Sequence, residues 1–275
     1  MLKTRVLTAA VLLAVLLSAL LLLPRNGWIA FCALFLGIAA WEWGALAALA
    51  ALGQLIYSAA VVGLFVSLGV FGAAWANGLY APAGVYYSAA LFWILLVPLW
   101  MWRRPQIDRR VLLPAVGAIV LVPAFAAAVD LGSVRPSLLV AVLATVWISD
   151  SAAYLIGRRF GRRKLAPTIS PGKTWEGVAG ALAAVALYAL AWASLSSPAG
   201  LPAWPSRAQM PPAWILPILL GLAVAGMIGD LFESLIKRQA GVKDSGTLLP
   251  GHGGILDRID APLAMLPLAA LAFVR

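Results

Sequence analysis

Long apolar runs separated by short polar or proline-rich breaks recur along the whole 275-residue chain. An α-helix needs roughly 20 predominantly apolar residues to cross the hydrocarbon core of a bilayer. By that measure residues 3–23, 28–50, 55–75, 85–102, 111–129, 137–157, 175–195, 212–235 and 261–274 are nine candidate spans. The last is short for a core about 30 Å thick, so either it starts earlier, near Ile255, or the bilayer thins around it. Lys3 and Arg5 ahead of a leucine-rich run imitate a signal peptide. That run is longer than a usual signal core and no small-x-small cleavage site precedes Pro24, so a retained helix is expected. Residues 196–213, with Pro198, Pro202, Pro205, Pro211 and Pro212, read as an external loop. The pattern therefore predicts an all-α fold, a polytopic integral membrane helix bundle forming a single membrane domain.

Composition sharpens this picture. With 63% hydrophobic and 11% charged residues and a mean hydropathy of +0.97, a soluble protein is excluded. Basic residues orient a bundle because they stay on the cytoplasmic side. With the N-terminus cytoplasmic, nine crossings place sixteen of the twenty Lys and Arg inside, leaving Arg25, Arg135, Arg207 and Arg275 outside. The net charge of +10 is thus mostly a property of one face, where it suits anionic headgroups and requires no nucleic acid. Cys32 is the only cysteine, which rules out an internal disulfide or a cysteine-based metal site. Trp28, Trp75, Trp100 and Trp102, near span ends, read as interfacial anchors.

Chemistry concentrates in residues 229–260, GDLFESLIKRQAGVKDSGTLLPGHGGILDRID, which hold five acids, four bases and the only histidine. On a helix Asp230, Ser234 and Lys237 share one face, while Glu233 and Lys237 are spaced for an i, i+4 ion pair. Leu249 to Ile255 form a glycine-rich turn suited to close backbone approach. Asp257 and Asp260 follow at the start of the last apolar segment, where Asp260 serves equally well as a helix cap or a ligand. Two carboxylates, one from a helix end and one after a glycine turn, suit Mg²⁺, which is usually held by one or two carboxylates plus substrate phosphates. Lys237, Arg238, Lys243 and Arg258 beside them would neutralise phosphate oxygens. The stretch reads as a site for phosphate chemistry.

A second region, 147–180, places Asp150 inside an apolar span with Tyr154 and Arg158 on the same helix face. An acid at such depth either serves function or pairs within the bundle. Ser170-Pro-Gly-Lys173-Thr174 imitates a phosphate-binding loop but has Pro167 where the first glycine belongs, and a membrane bundle offers no preceding strand. Lys173 and the start of the next helix instead suggest an anion site, with Thr174 and Glu176 in the opening turn. The N-terminal third holds one oddity, Glu42 between Trp41 and Trp43. It either hydrogen-bonds within the bundle or faces a water-filled cavity.

Ser234-x-x-Lys237-Arg238, Lys243-Asp244, Pro250-Gly251-His252-Gly253-Gly254 and Asp257-Arg258-Ile259-Asp260 together resemble the signature of the phosphatidate cytidylyltransferases, or CDP-diacylglycerol synthases. The 147–180 region, with Asp-x-x-Ala-Tyr and Ser-Pro-x-Lys-Thr-x-Glu-Gly, is similar to the same family. The resemblance implies cytidylyl transfer from CTP to phosphatidic acid, with CDP-diacylglycerol and pyrophosphate as products. Residues 137–275 would then carry the catalytic helices and loops, and 1–136 the scaffold. Asp230 and Asp257 are the expected Mg²⁺ ligands, with Asp150 and Asp260 as further candidates, and the family suggests a second cation such as K⁺. Lys173, Ser234, Lys237, Arg238 and Asp257 are the expected catalytic set. Substrate binding would fall to Lys173, Thr174, Lys237, Arg238, Lys243, Arg258 and His252, the last as a phosphate donor or as a neutral turn-stabilising imidazole. A homodimer is implied by the family. Compactness and the lack of a transit peptide point to a bacterial inner membrane, with the site facing the cytoplasm. Two other functions compete. A CTP-dependent lipid kinase would need a base to activate an alcohol, and an ion-coupled transporter would place its acids at mid-membrane.

Overall fold

The computed structural model describes residues 2–75, 78–105, 107–195, 212–248 and 253–274. His252 and most of the proline-rich 196–213 segment lie outside the described residues. The apolar runs become helices because a lipid environment leaves each backbone N–H and C=O to be satisfied within its own segment. In chain order these are α1 (Leu2–Leu22), α2 (Arg25–Leu46), α3 (Ala51–Trp75), α4 (Ala83–Leu91), α5 (Val97–Arg103), α6 (Arg109–Val134), α7 (Pro136–Phe160), α8 (Trp175–Leu195), α9 (Ile215–Gln239) and α10 (Leu256–Phe273). A π-helical turn, Phe92–Leu96, joins α4 and α5 into one rod. There the Val97 N–H reaches back to the Phe92 carbonyl, just ahead of Pro98, which has no N–H to continue the ladder. The described residues thus form nine helical rods, and seven of them are long and apolar enough to cross a membrane. The protein is an integral membrane protein of essentially all-α architecture.

Helix α10 is the hub, packing against α9, α6, α4 and α7. It begins at Leu256, which answers the shortness of the 261–274 run, and most of its apolar residues are buried against protein. Pro262 and Pro267 lie inside it at no fatal cost, because neighbouring helices can accommodate the freed carbonyls. Helix α9 is also braced by aromatic rings. Phe232 meets Phe92, Trp93 and Trp100 edge to face at centroid distances of 5.9, 5.7 and 5.7 Å, within the favourable range for such pairs. Two of the expected interfacial anchors therefore have other roles. Trp100 packs on Phe232, and Trp28 is buried with its indole N–H donating to the Ala128 carbonyl at 3.3 Å. Trp102 is exposed.

Helices α9 and α10 touch most closely at Gly229. A Cβ there would sit 2.6 Å from the Asp260 carbonyl and 3.0 Å from Ala264, so only glycine lets the two backbones meet. Gly229→Ala is expected to destabilise the protein by about 1–3 kcal/mol and to separate Asp230 from Asp260. Thermal melting of the purified protein alongside an activity assay would check this.

Between α7 and α8 the structure places a β-hairpin, so a strand does precede the Ser170–Thr174 motif, where a membrane bundle was expected to offer none. β1 (Lys164–Ala166) pairs antiparallel with β2 (Ser170–Thr174), with Lys164 opposite Thr174 and Ala166 opposite Ser170. Glu176, in the first turn of α8, accepts from the backbone N–H of Arg162 at 3.0 Å and of Arg163 at 3.2 Å. The Thr174 hydroxyl accepts from the Gly177 N–H at 3.2 Å, the side-chain cap that an opening helix turn favours. Thr174→Ala is expected to cost about 1 kcal/mol, measurable as a lower melting temperature.

Candidate active site at one end of the bundle

The hairpin, the ends of α7 and α9 and the start of α10 converge around a cavity of about 1170 Å³. Its polar end is lined by Asp150, Lys173, Asp230, Asp257, Arg258 and Asp260. Its apolar wall comes from α1, α2, α6 and α7, including Leu13, Leu16, Phe31, Phe35, Phe125 and Leu143. The segment read as scaffold, 1–136, therefore shapes the cavity directly.

Lys173 projects from β2 to Asp230 Oδ2, 2.5 Å away. Asp230 Oδ1 accepts from Ser234 Oγ one helical turn on, a long contact of 3.4 Å, so Ser234 stands behind Asp230 on α9. Asp150 lies close enough to feel both the Asp230 and the Lys173 charges. Asp260 is placed likewise beside Asp230 and Glu233, and its Oδ1 accepts from the Ala261 N–H at 2.9 Å.

Lys237 does not line the cavity. It sits behind Asp257, with its ammonium 2.5 Å from Asp257 Oδ1 and 2.6 Å from Glu233 Oε2, and all three side chains are at most 10% exposed. The i, i+4 pair expected from the sequence is present, and it is extended across to α10. The other Asp257 oxygen, Oδ2, accepts from the Ser245 N–H at 2.9 Å, the Ser245 hydroxyl at 3.0 Å and the Gly254 N–H at 2.8 Å. Four donors thus hold this carboxylate in one orientation.

Arg238 is engaged with backbone, its guanidinium donating to the Val242 carbonyl at 3.2 Å and the Ile169 carbonyl at 3.5 Å. Lys243 is exposed on the segment after α9. Arg158 stacks toward Tyr154 and donates to its hydroxyl at 3.0 Å, and both line the cavity. The cations bordering the cavity are therefore Lys173, Arg258, Arg158 and Lys164, whereas Lys237 and Arg238 reach it through what they hold. Among the described residues, no three His, Cys, Asp or Glu side chains form a ready-made metal cage. Mg²⁺ keeps waters and takes one or two carboxylates plus phosphates, and the carboxylates of Asp230 and Asp257 line this cavity. Among the described residues, Lys173 pairs with Asp230, and Lys237 pairs with Glu233 and Asp257. The donor set of carboxylates is hard and oxygen-based.

The sequence reading missed Ser245, although it lies beside the singled-out Lys243-Asp244 pair. It left Glu42 undecided. Glu42 is buried and hydrogen-bonded within the bundle, reaching Ser245 and the start of α10.

The carboxylate-rich pocket and the apolar cavity it continues into lie within one membrane helix bundle. Comparison with known proteins names the class. A model of the cytidylyltransferase family matches residues 3–274. The phosphatidate cytidylyltransferase of Pseudomonas aeruginosa is 40% identical over 284 residues, covering 98% of this chain and 96% of that protein. The phosphatidate cytidylyltransferase of Haemophilus influenzae is 34% identical, covering 97% of this chain and 96% of that protein. The Bacillus subtilis enzyme of the same name is 46% identical over 122 residues, 44% of this chain and 42% of that protein. The chain belongs to the cytidylyltransferase family, and it is a nucleotidyltransferase.

Proposed function

We propose that the protein transfers the cytidylyl group of CTP to phosphatidic acid, giving CDP-diacylglycerol and pyrophosphate for phospholipid synthesis. The observation that carries this reading is the single cavity with a charged floor and an apolar wall, set in a chain with relatives named for this reaction over nearly its whole length. The relatives lend no support to a lipid kinase or a transporter.

A phosphate monoester has its second pKa near 6, so at neutral pH the lipid phosphate is already largely a dianion and needs no strong base. One of its oxygens attacks the α-phosphorus of CTP, a new P–O bond forms, the α–β bond breaks, and pyrophosphate leaves. The barrier is repulsion between two anions, which positioning and charge neutralisation relieve. Lys173, at the cavity floor, and Arg258 supply fixed positive charge to the phosphates. Asp230 and Asp257 would hold Mg²⁺, with Asp150 and Asp260 in the same cavity, and a second cation such as K⁺ is proposed beside it. When bound, the metal stabilises charge on the nucleotide and on departing pyrophosphate. Ser234 steadies Asp230, Lys237 fixes Asp257, and Arg238 ties α9 to the hairpin turn. Thr174 shapes the anion site as the cap of α8. Lys243 and His252 are assigned to nucleotide phosphates on the strength of the signature.

We further propose a homodimer in a bacterial inner membrane with this end of the bundle cytoplasmic. The biased distribution of basic residues supports that orientation, and CTP and the lipid headgroup would meet there while the acyl chains stay apolar.

The test is transfer from CTP labelled at the α- or the γ-phosphate to phosphatidic acid in mixed micelles with Mg²⁺. Label passing from the α-position only is expected. Label passing from the γ-position, or from neither in folded protein, would overturn the assignment.

A further inference from the structure

Glu42 is a buried acid of the N-terminal helices that the reaction as derived does not use. It lies on α2, 5% exposed, and both of its oxygens are occupied by groups more than 200 residues away in sequence. Oε1 accepts from the Ile255 N–H at 2.9 Å, and Oε2 accepts from the Leu256 N–H at 2.8 Å and lies 3.0 Å from the Ser245 hydroxyl. The first N–H groups of a helix have no partner within it, and Ile255 offers α10 no side-chain cap. Glu42 supplies that cap from another helix, with a negative charge placed where the helix dipole favours it.

The same contacts lead directly to Asp257. The Ser245 hydroxyl lies 3.0 Å from Glu42 Oε2 and 3.0 Å from Asp257 Oδ2. A hydroxyl has one hydrogen, so it donates to one of these two carboxylates at a time, and the Ser245 N–H holds Asp257 Oδ2 whichever of them it serves. Glycine is required for this approach. A Cβ on Gly254 would overlap Glu42 Oε2 and Ser245 Oγ, and one on Gly246 would lie 2.7 Å from Glu42 Oε1. Three of the four donors to Asp257, the Ser245 N–H, the Ser245 hydroxyl and the Gly254 N–H, come from a residue that Glu42 contacts or from the neighbour of one it bonds.

We propose that Glu42 is a positioning residue for the transfer reaction, which through Ser245 and the first turn of α10 fixes the carboxylate of Asp257 at the cavity floor. This rests on the assignment of Asp257 as a cation ligand. Partners that orient a ligand from behind typically matter about 10- to 100-fold in metal affinity or activity. Glutamine at position 42 keeps the size but replaces one acceptor by an NH₂ group, which opposes the N–H of Leu256 or of Ile255.

The experiment compares full-length wild type, Glu42→Gln and Ser245→Ala. The readouts are kcat, KM for phosphatidic acid, melting temperature, and Mn²⁺ binding followed by loss of the free-ion paramagnetic resonance signal. For Glu42→Gln a fall in kcat and a weakening of Mn²⁺ binding, each about 10-fold or more, are expected with KM for the lipid unchanged. Ser245→Ala removes one hydroxyl and leaves both backbone bonds of Glu42. It is expected to move the same two quantities in the same direction by less, and it carries the test if Glu42→Gln does not fold. Wild-type kcat and Mn²⁺ affinity in both variants would overturn the proposal. So would activity that falls only in step with the loss of folded protein while Mn²⁺ affinity is unchanged. Should wild type transfer no cytidylyl group, the reaction assignment falls, and the weakened Mn²⁺ binding of the variants alone then upholds the positioning role.

Discussion

Asp257→Asn is expected to reduce cytidylyl transfer by about a thousand-fold while leaving the protein folded. The carboxylate is held by Lys237, by the Ser245 hydroxyl and by the backbone N–H groups of Ser245 and Gly254. An asparagine keeps one acceptor oxygen and turns an NH₂ group toward either the ammonium or the cluster of donors. It carries no charge to hold a cation against nucleotide phosphates. Glu233 remains to pair with Lys237, so the buried ammonium keeps a partner, and the hydrogen bonds lost at Asp257 should lower the melting temperature without unfolding the protein. Initial rates with α-labelled CTP, alongside melting temperature, check both halves of the prediction. A variant with near wild-type turnover would remove Asp257 from the reaction.

Lys237→Met should act mainly on stability. The lysine lies between two carboxylates, and all three side chains are at most 10% exposed. Taking away the cation leaves two buried negative charges facing each other, and breaking a buried ion pair from one side costs about 3–5 kcal/mol. A clear drop in melting temperature with loss of activity is therefore expected. The double variant Glu233→Gln/Lys237→Met removes one of the stranded charges and should recover part of the stability without recovering turnover. A lysine that served only to clamp phosphate would behave differently, leaving the melting temperature in place and raising KM for CTP. Thermal melting of the three proteins separates these outcomes.

What could be read from the chain follows from the range of the interactions. A span is written locally, in a run of apolar residues, so the helices were legible to within a few residues, including α8 at 175–195. Helix α10 could be foreseen to start before its apolar run, because Asp257 and Arg258 can occupy a first turn at the polar end of the bundle. The hairpin was not legible: Lys164 to Thr174 is too short and too rich in proline and glycine to show strand periodicity, and its shape depends on Glu176 gripping the backbone of Arg162 and Arg163. Trp28 reads as an anchor by position alone, and only the packing of α2 on α6 explains its burial. The signature residues could be grouped by their spacing, but which faces the cavity could not. Lys173 and Lys237 look alike in sequence, yet one projects from a strand into the cavity and the other is enclosed behind Asp257. Glu42 is the extreme case, since its partners are known only once α2 and α10 are side by side.

The most direct test of the central claim is the fate of the lipid's own phosphate oxygens. With phosphatidic acid carrying ¹⁸O at its non-bridging phosphate positions, attack by the lipid phosphate on the α-phosphorus predicts CDP-diacylglycerol that retains every label, one of them in the new P–O–P bridge, and pyrophosphate that carries none. Label in the pyrophosphate, or lost to water, would contradict the proposed attack and with it the account of this site.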